Sequence, residues 1–202
     1  MTEEKDKLSI ERRVVMVVDI RSSTSMLDDL KQTDNLAVWR NLLINQKQLI
    51  FGHYAFSRVE IYKFIGDGWI LLFPEDIKRS EMLDFLGEIS RQFDMNYDLV
   101  KDFLQRRPPK VGLTFGIDSG ELIKLEMNEQ TEYIGRAINV AARLQGFAKD
   151  LPSSEDYQAV FSKHSFNQMM GVHKDKLNVQ EVKASLRNIV GGEIECFAYS
   201  PL

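Results

Sequence analysis

Hydrophobic positions along this chain fall into short runs with distinct periods. The first, Val14 to Val18, is continuous and closes on Asp19 and Ile20. A β-branched run over 13–20 without polar interruption reads as a strand buried on both faces. A polar loop, Arg21 to Thr24, follows. Over residues 24–51, Met26, Leu27, Leu30, Leu36, Trp39, Leu42, Leu43 and Ile50 recur at helical spacing, with Asp34 as an N-cap within the stretch. Residues 57–64 then alternate apolar and polar, residues 69–73 are apolar throughout, and Gly66, Asp67 and Gly68 lie between them. Two β-rich runs around such a turn predict a hairpin, which Pro74 closes.

Helical spacing returns over 76–105 through Met82, Phe85, Leu86, Ile89, Phe93 and Val100, and Pro108 and Pro109 stop it. A second hairpin is predicted from residues 111–117 and 121–125, turning at Asp118, Ser119 and Gly120. A helix over 137–148 comes next, with Ile138, Ala141, Ala142 and Leu144 on its buried side. A short strand at 159–162, a helix at 163–170 and a closing strand at 193–198 complete the order of strands and helices. That order implies an α/β sandwich, and with neither repeat nor linker it is one domain over 1–202.

Composition narrows the function classes. The chain has 202 residues, 44% of them hydrophobic, enough for one real core. Its 30 acidic and 26 basic residues give a net charge of −4, which argues against nucleic acid as a partner. Cys196 is the single cysteine, so an intrachain disulfide and a multi-thiolate zinc site are excluded and a reducing compartment is expected. Residues 1–7 lack the apolar core of a signal peptide, and the run at 14–18 is too short to span a bilayer. A cytoplasmic protein with no membrane partner is the expectation.

Two aspartates sit at the ends of apolar β segments. If their strands are neighbours with polar ends on one edge, Asp19 and Asp67 form a carboxylate pair suited to hard divalent cations and phosphate oxygens. Singly, each also reads as an ordinary strand-end or turn residue. The loop Ser22, Ser23 and Thr24 precedes a helix, where backbone N–H groups and hydroxyls can cradle phosphate, although serine and threonine are also common caps there. Asn139 and Arg143 stand four apart and so share one helix face. They could orient a ribose and stabilise a phosphorane-like transition state, or could simply be solvated. His53, His164 and His173 have no motif spacing and read as surface or packing residues.

The blocks Val18-Asp19-Ile20, Lys63-Phe64-Ile65-Gly66-Asp67-Gly68, Gly116-Ile117-Asp118-Ser119-Gly120 and Ile134 to Leu144 resemble, in order, the signature blocks of class III nucleotidyl cyclases. The resemblance covers roughly residues 13 to 145. It implies a ferredoxin-like catalytic core, a largely antiparallel sheet with packed helices. It also implies cyclisation of a nucleoside triphosphate substrate to a 3′,5′-cyclic nucleotide and pyrophosphate, with two divalent metal ions, Mg²⁺ or Mn²⁺. Carried over by residue, Asp19, Asp67 and the Ile20 carbonyl would hold metal, and Ser22, Ser23 and Thr24 the phosphates. Asn139 would orient the ribose and Arg143 would stabilise the transition state. Arg187, with Lys183 second, is the candidate for the terminal phosphates.

Family members build each site from two subunits, and this chain carries both residue sets, which implies a homodimer with composite active sites. Lys63 matches the base-contacting lysine of adenylate-type members, and Glu132 replaces their aspartate. Guanylate-type members place a glutamate at the Lys63 position. The Lys63–Glu132 pair leaves ATP, CTP and UTP open on donor and acceptor grounds. The Asp19 to Thr24 and Tyr62 to Trp69 segments are more similar to bacterial pyrimidine cyclases of anti-phage (Pycsar) defence, whose cyclic UMP or cyclic CMP is read by a separate effector protein. Tyr54, Phe56 or Tyr62 could narrow the pocket to a single ring, with Tyr54 the base-binding candidate; each could equally be a core aromatic. A nucleotide-sensing module without catalysis is the rival reading.

Overall fold

The computed structural model describes residues 8–52, 58–152, 157–171, 177–186 and 192–200. Strand β1 (Ser9–Ile20) leads through two helices, α1 (Ser23–Gln32) and α2 (Leu36–Gly52), to the hairpin β2 (Glu60–Phe64) and β3 (Gly68–Pro74). Helix α3 (Arg79–Val100) precedes β4 (Leu113–Met127), β5 (Gln130–Ile134) and α4 (Arg136–Asp150). The chain ends through β6 (Tyr157–Ser162), α5 (Lys163–Met170), β7 (Val179–Ser185) and β8 (Glu193–Tyr199). The strands form one sheet in the order β2-β3-β1-β4-β6-β8-β7, with β5 paired to β4. Among the described residues only the β4–β6 pairing is parallel. Among the described residues no helix is long and apolar enough to cross a membrane.

Strand β1 is central, and its unbroken apolar run has a direct cause. Val14, Met16, Val18 and Ile20 join the large core with Met26, Leu30, Trp39, Phe85 and Phe93. Val15 and Val17 face the other way, against Leu122, Ala137 and Ala141. Successive side chains of a strand alternate in direction, so covering both faces requires apolar residues throughout. Helix α4 covers the second face beside the site, and it lies close. A Cβ on Gly116 of β4 would overlap the Ala141 carbonyl oxygen and the Gln145 backbone nitrogen. The small residues Ala137 and Ala141 match that approach.

Four sequence expectations change. The turn expected at Asp118 to Gly120 does not form, because β4 runs straight through it, paired to β1 from Leu113↔Ile20 to Lys124↔Ser9. Part of the polar demand there is met locally: Ser162 Oγ donates to Asp118 Oδ1 at 2.5 Å, and Ser165 Oγ lies 3.2 Å from the same oxygen and 3.0 Å from Ser119 Oγ, while Asp118 Oδ2 is buried with no hydrogen-bond partner among the described residues. The reversal comes later, at Asn128 and Glu129, both left-handed (φ 52° and 62°), and β5 then pairs back on β4. Residues 24–51 are two helices, and Asp34 (φ 58°) lies in the bend one residue before the capping place ahead of Leu36. Strand β7 was not expected. It alternates Val182 and Ala184, packed on the core, with Glu181 and Lys183 exposed. Cys196 is fully buried in β8, where burial pushes its thiol up to about 11.

Candidate active site

The β1–β3 register sets Asp19 opposite Gly68. Asp67 precedes Gly68 at the tip of the β2–β3 hairpin, so its carboxylate comes up against that of Asp19. Gly66 has φ +97°, which a side chain would oppose, and a Cβ on Gly68 would run into the Val18 carbonyl. Both glycines are therefore needed to press the hairpin tip against the end of β1. Asp19 is only 6% exposed. Burial raises its pKa to about 6; Lys149 opposes the rise and Asp67 adds to it.

The two carboxylates are individually held. Ser23 Oγ donates to Asp67 Oδ2, and the Lys149 ammonium forms an ion pair with Asp19 Oδ2. The Asp19 carbonyl accepts from Thr114 Oγ1 at 3.2 Å, and that hydroxyl accepts from Gln145 Nε2 at 2.7 Å. A buried relay thus fastens α4 to the strand end that carries Asp19. Lys149, Thr114 and Gln145 were missed by sequence reasoning, since nothing local in the chain links them to residue 19.

In the predicted phosphate loop, Ser22 is left-handed (φ 60°) and its hydroxyl donates to the Lys110 carbonyl at 2.7 Å. Ser23 is engaged with Asp67, and Thr24 is exposed in the first turn of α1. Arg21 is buried, donating to Gln158 at 3.1 Å. The Ile20 side chain is buried in the core.

The predicted base-reading pair does meet. Lys63 Nζ lies 3.2 Å and 3.3 Å from the two Glu132 oxygens, across the ends of β2 and β5. Tyr62 joins it: its hydroxyl donates to Glu132 Oε2 and accepts from the Tyr133 N–H at 3.1 Å. These donors hold the Glu132 carboxyl below its ordinary value, Tyr62 contributing most. A β-bulge between Ile61 and Lys63 explains the convergence, since it removes the strict alternation that would send neighbours 62 and 63 to opposite faces. Tyr62 also packs edge-on against Tyr133, with ring centroids 5.1 Å apart.

Asn139 and Arg143 lie on the outer side of α4, Asn139 exposed and Arg143 partly so, while Ala137, Val140, Ala141 and Leu144 face the sheet. At 1.5 Å per residue, Asn139 stands about 15 Å and Arg143 about 9 Å along the helix from Lys149, which touches Asp19. Tyr54, Arg187, Phe56, His53 and His173 lie outside the described residues. Lys183 is exposed on β7, opposite Glu195 of β8, and His164 is exposed on α5.

Among the described residues no group of three or more His, Cys, Asp or Glu side chains could hold a metal ion. The donor set still fits a divalent cation that takes its remaining ligands from the backbone and from phosphate oxygens. Two hard carboxylates adjoin, one of them buried, and their mutual repulsion calls for positive charge.

No protein-family model matches the chain, and no curated protein matches it either. Solved structures do. The adenylyl cyclase CyaB from P. aeruginosa superposes with a TM-score of 0.73 at 15% identity, covering 97% of each chain. The guanylyl cyclase Cya2 gives a TM-score of 0.69 at 16% identity, over 96% of this chain and 94% of the other. A class III adenylyl cyclase-like ATP-binding protein from Pseudomonas aeruginosa gives 0.62 at 17% identity, over 80% of this chain and 35% of the other. The fold is that of class III cyclase catalytic domains.

Proposed function

We propose that this protein is a nucleotidyl cyclase, and that the juxtaposition of Asp19 and Asp67 at one sheet edge carries the reading. A pair of Mg²⁺ or Mn²⁺ ions held by these carboxylates and the Ile20 carbonyl would supply Lewis-acid activation of the ribose 3′-hydroxyl and charge neutralisation on the triphosphate. The chain's own residues do the positioning. Thr24 and the free N–H groups that open α1 would bind phosphate oxygens, together with Ser22, Ser23 and Arg187. Asn139 of a second subunit would orient the ribose, and its Arg143 would stabilise charge developing on the α-phosphate as pyrophosphate leaves. With Asn139 and Arg143 on the outer side of α4, a symmetric homodimer would present them to the partner's carboxylate pair and so form two composite sites.

The base is read as a pyrimidine, UTP ahead of CTP. Both Glu132 oxygens already face Lys63, and Tyr62 donates to one of them. The Lys63 ammonium is then the available donor, which suits the carbonyl edge of uracil better than the amine edge of adenine. Cyclic UMP or cyclic CMP made here would act in anti-phage signalling through a separate effector protein. Purified protein with Mn²⁺ and each of ATP, GTP, CTP and UTP, with products identified by mass, tests both levels. A cyclic pyrimidine nucleotide is expected. Cyclic AMP alone would replace the pyrimidine reading with an adenylyl cyclase. Absence of product from all four, with the dimer verified, would favour a nucleotide-sensing module.

A further inference from the structure

The ion pair between Lys149 and Asp19 is used by none of the chemistry above, yet it occupies the carboxylate on which that chemistry depends. We propose that Lys149 is a tethered counter-cation, whose ammonium holds Asp19 in the metal-free protein and must leave for a divalent ion to bind. This rests on reading Asp19 and Asp67 as the metal pair.

Four observations carry it. The carboxylates adjoin, and the Asp19 side chain is 9% exposed, so their repulsion is poorly screened by water. Among the described residues, Lys149 makes the one ion pair that reaches either carboxylate. The lysine can also depart. It is one residue from the end of α4, its side chain is 42% exposed, and its flexible four-carbon stem lets the ammonium swing into water. Finally, the last turn of α4 presents the negative end of the helix dipole, which favours Lys149 when it is seated and any cation that replaces it. An ammonium neutralises one of the two charges and a divalent ion both, so the ion prevails against a resident competitor. Lys149 therefore keeps the empty site folded and sets metal affinity lower than the carboxylates alone would give.

The test is a Mn²⁺ titration of the full chain without nucleotide, followed by the paramagnetic resonance signal of free Mn²⁺. The proteins are wild type, Lys149→Met, Lys149→Arg and Asp19→Asn. Methionine keeps the stem and removes the charge. Lys149→Met should bind Mn²⁺ at least about fivefold more tightly, which is about 1 kcal/mol at 1.4 kcal/mol per decade. Its melting temperature should also rise more on adding Mn²⁺ than that of wild type. Lys149→Arg keeps the charge and should stay within about twofold of wild type. Equal or weaker binding by Lys149→Met, with binding still lost in Asp19→Asn, overturns the role of Lys149 and leaves the metal pair standing. Tighter binding by Lys149→Arg as well would also overturn it, and this variant decides the matter if methionine prevents folding. Binding that Asp19→Asn does not weaken overturns the metal reading, and the proposal with it.

Discussion

Replacing Asp19 by asparagine should make the metal-free protein more stable at neutral and alkaline pH, with the advantage fading in acid. Burial is the main reason that the Asp19 carboxyl titrates near 6 rather than 3.8. Because the folded-state value is raised, the fold favours the protonated acid. Its contribution is fully present below about pH 4 and is lost as pH climbs through about 6. Two pH units at 1.36 kcal/mol each make the ionised carboxylate a cost of about 3 kcal/mol above that window. An asparagine is never charged and removes this cost, in which the attraction of Lys149 is already counted, so a gain of at least about 2 kcal/mol is expected at pH 8. For a chain of this size, that raises the melting temperature by about 4–8 °C. Urea denaturation in EDTA at pH 8 and at steps down to pH 4 gives the result directly. The gain should shrink as pH falls. An Asp19→Asn protein no more stable than wild type at pH 8, or one whose advantage is independent of pH, would refute the assignment of a buried, charge-crowded carboxylate.

Three further outcomes follow from particular contacts. Gly116→Ala places a methyl against the Ala141 carbonyl and the Gln145 nitrogen, so α4 must lift and the Gln145–Thr114 bond must weaken. A loss of about 1–3 kcal/mol in urea is expected, and unchanged stability would contradict the close packing. Tyr62→Phe removes the hydroxyl that donates to Glu132 and accepts from the Tyr133 N–H, at a stability cost of about 1 kcal/mol. With Glu132 partly released, turnover in an equimolar mixture of nucleoside triphosphates should shift toward bases bearing an amine; an unaltered product ratio would show that Tyr62 does not position the carboxylate. Gly68→Ala should separate the hairpin tip from β1, and calorimetry should then record weakened Mn²⁺ binding. Binding as tight as wild type would mean that the close approach of Gly68 is dispensable.

Much of this architecture is legible in the chain because the strongest patterns are local. The run at 14–18 marks a strand covered on both faces, and the Gly-Asp-Gly turn marks its hairpin. Helix α5 spans Lys163–Met170, the range its periodicity indicates. The expected turn at 118–120 failed for a tertiary reason. Asp-Ser-Gly is turn chemistry in isolation, but the pairing of β4 along β1 and the hydroxyls of Ser162 and Ser165 engage the same residues in an extended strand. Strand β7 is too charged on one side to stand out. In the site, the carboxylate pair and the Lys63–Glu132 contact could be anticipated from spacing and resemblance. Lys149 could not, since 130 positions separate it from Asp19 and an exposed lysine in a last helical turn is unremarked by any pattern. Tyr62 is named in the sequence reading as a pocket aromatic, but its hydrogen bond to Glu132 was not foreseen, because it depends on a bulge that breaks the alternation used to assign faces.

In the proposed enzyme, Asp19 and Asp67 of one subunit act with Asn139 and Arg143 of another on one nucleotide. Mixing two inactive variants, Asp67→Asn and Arg143→Ala, tests it most directly. In a mixed dimer one site collects both defects and the other is intact. With random exchange, half the dimers are mixed and each has one of two sites working, so cyclic nucleotide should form at roughly a quarter of the wild-type rate. A mixture as inactive as its components, with exchange of subunits verified, would contradict a composite site.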